Sequence, residues 1–172
     1  MSLLRRFGSA IARALRPSPP PARVEPGSDG PGRSGRTATT AVSAPSARSL
    51  TMAYAPMRDG DPDAGEIVWT WVPYAENDGR GKDRPVLVIA RQSTDRVYAL
   101  RLTSTAHDRD SDFVAIGTGE WDARHRPSWV DVSQVYSVHD KGLRREASAL
   151  DRRAFTRVAS VLASRYGWSS PS

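Results

Sequence analysis

Residues 84–105 read RPVLVIARQSTDRVYALRLTST, and this stretch decides the fold. From Pro85 to Ala90 every residue is apolar, and Val86, Val88 and Ile89 are β-branched. A run this short, rich in such residues, fits a strand covered on both faces better than a buried helix. The polar residues Gln92–Asp95 follow as a turn, and then RVYALRLTST, whose residue types suit a pleated surface. Two such runs joined by a short polar turn predict a hairpin. Alternation along its second strand sets Arg101 and Thr103 on one face and Leu100 and Leu102 on the other, directing Thr103 away from the core.

Working outward, GEIVWTWVPY (65–74) alternates Ile67, Trp69 and Trp71 with Val68, Thr70 and Val72 until Pro73 ends the run. Downstream, DFVAIGTG (112–119) and SWVDVSQVYSV (128–138) read as further strands. The last segment, LDRRAFTRVASVLASRYGW (150–168), changes period: Phe155, Val158 and Leu162 line one helical face, Asp151 suits the N-cap and Gly167 the stop. About five short strands with no helices between them, closed by one helix, indicate a mainly β protein with accessory α, a small barrel-like sheet.

Charge is distributed unevenly. The formal net charge of +6 and the pI near 10.3 come from residues 1–50, which hold eight arginines against Glu25 and Asp29. Residues 51–172 hold 17 basic and 17 acidic side chains, so a nucleic-acid site there has to be a local patch. There is no cysteine, which excludes disulfides and thiolate metal sites. His107, His125 and His139 lack ligand spacing, so no metal is expected. A cytoplasmic protein is the expectation.

MSLLRRFGSAIARALRP (1–17) spaces Leu3, Leu4, Phe7, Ile11 and Leu15 among four arginines, and residues 1–16 read as a basic amphipathic segment able to touch a membrane surface or a partner. Its run is too short to span a bilayer. The alternatives are an unstructured extension or a true start at Met52. Residues 17–60, dominated by Pro, Gly, Ser and Ala, are expected to be a disordered linker before a domain at 61–168. On this reading a chain starting near Gly60 would melt unchanged.

The order GEIVW, a polar loop, RPVLVIAR, a strand ending LTST, VSQVYSV and a terminal helix resembles the MazF/PemK toxins of type II toxin–antitoxin systems over about residues 64–166. The resemblance implies an SH3-like β-barrel, usually a homodimer, that cleaves single-stranded RNA at short motifs without metal or cofactor. It also implies silencing by a cognate antitoxin, and DNA binding through the complex with it. Such cleavage uses the adjacent 2′-hydroxyl as nucleophile, so the protein must stabilise a phosphorane and manage two proton transfers. The arginine of the RP pair, Arg84, is catalytic by this resemblance, and its planar fork suits phosphate oxygens. The alternative is that Arg84 pairs with Asp83 or caps the sheet edge.

By the same resemblance a threonine at the end of the following strand is expected to be the second catalytic position: Thr103, with Thr105 as the register alternative. Arg80 and Lys82, on a glycine-bearing loop (GRGKDRP, 79–85), would hold neighbouring phosphates without reading sequence. His107 is able to exchange protons near neutrality, although Asp108, Asp110 and Asp112 crowd it. Trp69, Trp71, Trp121 and Trp129 either stack bases or fill the core. The competing function is an SH3-like binding module that has lost ribonuclease activity.

Overall fold

The computed structural model describes residues 30–170 apart from 58 and 77. Among them, in chain order, lie β1 (Thr40–Val42), β2 (Glu66–Pro73), β3 (Gly81–Ser93), β4 (Arg96–Thr103), β5 (Phe113–Gly117), β6 (Ser128–Asp131), β7 (Val135–His139), β8 (Leu143–Ala149) and α1 (Arg152–Tyr166). The predicted hairpin, β3–β4, is the centre of an antiparallel sheet of order β1-β7-β4-β3-β2-β8, with β6 pairing β4 and β5 at one end. The sheet curls until the residue before β1 meets β2: the Thr39 and Thr70 hydroxyls lie 2.7 Å apart, and the Thr70 hydroxyl donates to the Gly142 carbonyl. Side chains rather than a continuous ladder join this rim. The mainly β fold with a C-terminal helix is thus the one expected from the sequence.

The β3 run is buried on both faces because apolar layers lie on either side. Leu87 and Ile89 pack with Leu100, Leu102 and the α1 stripe Phe155, Val158 and Leu162. Val86 and Val88 face Val68, Val72, Val97 and Val138 inside the curl. Each fully buried side chain of this size contributes about 1.5–3 kcal/mol relative to exposure. At the N-terminus of α1 the Ala154 N–H donates to the Asp151 carboxylate at 3.0 Å, and at the other end Gly167 adopts φ 71°. Asp151→Ala is expected to cost about 1 kcal/mol, read as a drop of roughly 2–4 °C in a thermal melt.

The expected linker is corrected over its second half. Residues 39–57 form no free spacer: β1 pairs with β7, and Leu50 and Met52 are buried in the α1 layer. The Ser169 N–H donates to the Leu50 carbonyl and the Met52 N–H to the Ser169 carbonyl, stitching this segment to the chain beyond α1. The Trp168 indole N–H donates to the Pro45 carbonyl at 2.9 Å. Tyr54 stacks obliquely on Phe155 at 5.3 Å and donates to the Leu150 carbonyl. Its ring lies so close to Gly65 that a Cβ there would sit 2.6 Å from it, and Gly65 has φ +100° besides. Isolated apolar residues in a Pro- and Gly-rich context carry no period, and their burial depends on partners far along the chain. The basic segment 1–16, and the linker expectation as far as residue 29, fall outside the described residues.

Three further differences bear on the site. The stretch 128–138 is two strands, because Asp131 turns the chain by accepting from both the Ser133 N–H and its hydroxyl. The charged stretch LRREASA (143–149) had concealed β8, which pairs with β2 across two register shifts. And β3 begins at Gly81, so Lys82 belongs to a strand rather than a loop.

Candidate functional site

The central strands part at Pro85. β3 and β4 stay paired as far as Val86 and Arg101, beyond which β4 turns to pair with β6 while β3 stays with β2. Proline has no N–H to give to a ladder, and it stands where this one ends. A cavity of about 810 Å³ opens in the fork. Continuing the antiparallel count two residues past Val86 and Arg101 sets Arg84 opposite Thr103, and both line this cavity together with Lys82 and Thr105.

The cavity is strongly cationic although the domain is balanced. Lys82, Arg84, Arg124, Arg126 and Arg144 line it against Asp83 and Asp122. Arg126 Nε bonds Asp122 at 2.7 Å, and Arg144 Nε lies 2.7 Å from Asp83. These pairs consume both carboxylates. Among the described residues no carboxylate or carbonyl takes a hydrogen bond from the side chains of Lys82, Arg84 or Arg124. Among the described residues the Arg84 side chain therefore does not pair with Asp83.

Thr103 is oriented by its own turn. Its hydroxyl oxygen accepts from the Thr105 N–H at 3.1 Å, which leaves the hydroxyl proton to be given to something else. Thr105 thus contributes its backbone to holding Thr103, while its side chain is exposed.

The opposite wall is the loop between β5 and β6. Trp121 is buried under it and donates to the Ser128 hydroxyl at 3.1 Å. Asp122 accepts from the Arg124 N–H and from Arg126, and these hydrogen bonds, led by that of Arg126, hold its carboxyl below the usual carboxylate range. Arg124 and Arg126 were not anticipated as site residues. The local signal is present, an aspartate followed at two and four residues by arginine, but nothing local says that this loop faces β3. Arg144 on β8 was missed as a site residue for the same reason.

Two expected residues lie elsewhere. Arg80 is well exposed, bonds Asp78 at 2.6 Å and faces a second groove beyond Arg84. His107 does not reach the cavity: its ring stacks on Phe113 at 3.6 Å, with Asp110 at 3.8 Å, because Ser104–Asp112 folds as a separate loop. Trp71, Trp121 and Trp129 are buried, and Trp69 is half-buried at the cavity. No group of three or more potential metal ligands occurs among the described residues. No helix among them is long and apolar enough to cross a membrane.

A curled antiparallel sheet with a cation-lined fork between its central strands defines a small β protein whose open site suits a flexible anionic ligand. Residues 63–165, more than half of the chain, match the family described as PemK-like, MazF-like toxin of type II toxin-antitoxin system. The chain belongs to this family.

Among proteins of curated function none matches it in sequence. Similar solved structures include an endoribonuclease in complex with its cognate antitoxin from a mycobacterial species (18% identity, 66% of this chain and 96% of the other, TM-score 0.49). Others are the MazE–MazF complex of Deinococcus radiodurans (20%, 62% and 96%, TM-score 0.47) and the Mycobacterium tuberculosis toxin MazF-mt6 (16%, 59% and 98%, TM-score 0.43).

Proposed function

We propose that the protein is a metal-independent endoribonuclease that cuts single-stranded RNA at short motifs by attack of the 2′-hydroxyl on the adjacent phosphate. The observation that carries this reading is the convergence, in one open cavity, of an arginine with no partner among the described residues and a threonine whose hydroxyl proton is free to be donated. Arg84 holds the scissile phosphate by its fork and meets the charge that grows on the phosphorane. Thr103 donates to the same group. Lys82, with Arg124 on the facing loop, holds phosphates on either side without reading bases. His107, stacked on Phe113, does not line this cavity and is given no role in the step.

The family is defined within toxin–antitoxin systems, which supports a cognate antitoxin as partner. The protein is proposed to act in the cytoplasm as a homodimer, its antitoxin covering the cavity and bringing the complex to DNA. Sedimentation at tens of micromolar is expected to show the dimer; a monomer alone would count against it. The enzymatic reading is tested with wild-type protein and single-stranded RNA in excess EDTA, mapping the ends. Cuts at one short motif leaving 2′,3′-cyclic phosphate are expected. RNA left whole under every condition would favour the binding-module reading instead.

A further inference from the structure

Arg84 lines two openings. On its far side from the first cavity runs a groove of about 1020 Å³, bounded by the β2–β3 loop on one side and by Ala38–Ala41 on the other. The second wall comes from residues outside the family-matched 63–165. Residues 30–39 reach it by passing close against β8 and the turn before it, most tightly at Gly32, which has φ +78°. A Cβ on Gly30 would strike the Arg144 guanidinium at 2.5 Å, and one on Gly32 would lie 2.6 Å from the Gly142 carbonyl. The segment therefore passes from the rim of the first cavity, at Arg144, to the second groove, where Arg33 lies 4.8 Å above the Trp71 ring.

The groove is lined by guanidinium groups and carries an exposed aromatic ring. Arg33, Arg80, Arg84 and Arg101 line it against Glu76 and Asp131, with Arg80 paired to Asp78 at 2.6 Å on the exposed side, where solvent screens the pair. Asp131 is almost wholly buried and is neutralised by Arg101 at 2.7 Å. Tyr74 is among the few large exposed apolar side chains, and it stands on the groove's lip. Guanidinium groups along a channel with an exposed ring at its edge are what a single-stranded nucleic acid requires: charge for the backbone and a face for a base.

We propose that this groove is a flanking subsite in which the RNA chain continues past Arg84, with Tyr74 stacking a base and Arg33 and Arg80 holding phosphates. This rests on the reading of Arg84 as the phosphate ligand: a chain with one phosphate there has to leave the first cavity, and the second groove adjoins it. The extension at 30–42 thereby lengthens the RNA footprint of the family domain.

The test uses 2′-O-methyl RNA, in which the attacking hydroxyl is blocked, carrying the mapped cleavage motif in lengths of four and twelve nucleotides. Binding is followed by fluorescence anisotropy at fixed salt. Wild-type protein is expected to gain affinity with length, and the Arg33→Ala/Tyr74→Ala protein to lose about tenfold of that gain. Tyr74→Phe, which keeps the ring, is expected to retain it. Thermal melts of each variant check the fold.

An undiminished gain in the double variant overturns the proposal, and it is equally overturned if that variant loses affinity only for an acidic antitoxin peptide, which would make the groove a protein site. Arg84→Ala on the four-nucleotide ligand tests the first cavity separately. If that binding survives, the site reading itself fails and the subsite with it.

Discussion

Replacing Arg84 by alanine is expected to slow cleavage of a short RNA by roughly two to three orders of magnitude, the cost of about 3–4 kcal/mol for a donor aimed at developing charge. Arg84→Lys is expected to fail nearly as badly, since an ammonium keeps the charge and loses the two-pronged geometry. The surroundings make this a clean substitution. The Arg84 side chain makes no hydrogen bond or ion pair among the described residues, so its removal leaves no carboxylate stranded. The measurement is single-turnover cleavage in excess EDTA, with far-UV circular dichroism confirming that each variant folds. Folded Arg84→Ala protein that cuts at the wild-type rate would refute the assignment.

The second large effect concerns stability. A chain beginning at Asp61 lacks β1, the buried Leu50 and Met52, and Tyr54, and its melting temperature is expected to fall steeply or its transition to vanish. Met52→Ala isolates one part of this. The side chain is 1% exposed, and truncating such a residue costs about 2–5 kcal/mol, corresponding to a shift of roughly 5–15 °C. Unchanged melting of both proteins would show that the segment contributes nothing to the domain. Family boundaries drawn at 63–165 would on this account trim away part of the core.

The hairpin and the terminal helix were legible in the sequence because their determinants are local. β3 announces itself by six consecutive apolar residues, and α1 by a stripe at helical spacing between Asp151 and Gly167. β8 was not, because LRREASA neither alternates nor runs apolar, and it is held by backbone pairing to β2. β1 has three residues and exists through its pairing with β7. The same division applies to the site. Arg84 and Thr103 stood out through their places in recognisable strands, but Arg124, Arg126 and Arg144 join them only because β4 leaves β3 for β6 and β8 returns beside β2. Arg80 and His107 were near in sequence and are turned elsewhere by Asp78 and Phe113.

The stitch between residues 45–52 and 167–169 also sets an order of events in folding. The bond from Trp168 to the Pro45 carbonyl spans 123 residues, and the strand-like contacts of Leu50 and Met52 with Ser169 span nearly as many. Contacts of such separation are slow to form, because most of the chain's loop entropy is lost before they return anything. A nascent chain can assemble β3–β4 early, but the layer under α1 stays open until Trp168 has emerged from the ribosome. Until then Phe155 and Leu162 lack the cover supplied by Tyr54, Leu50 and Met52. Closure of this layer is therefore gated by residues 167–169, and a polypeptide stalled short of them carries the strands that line the cavity without the closure that makes them durable.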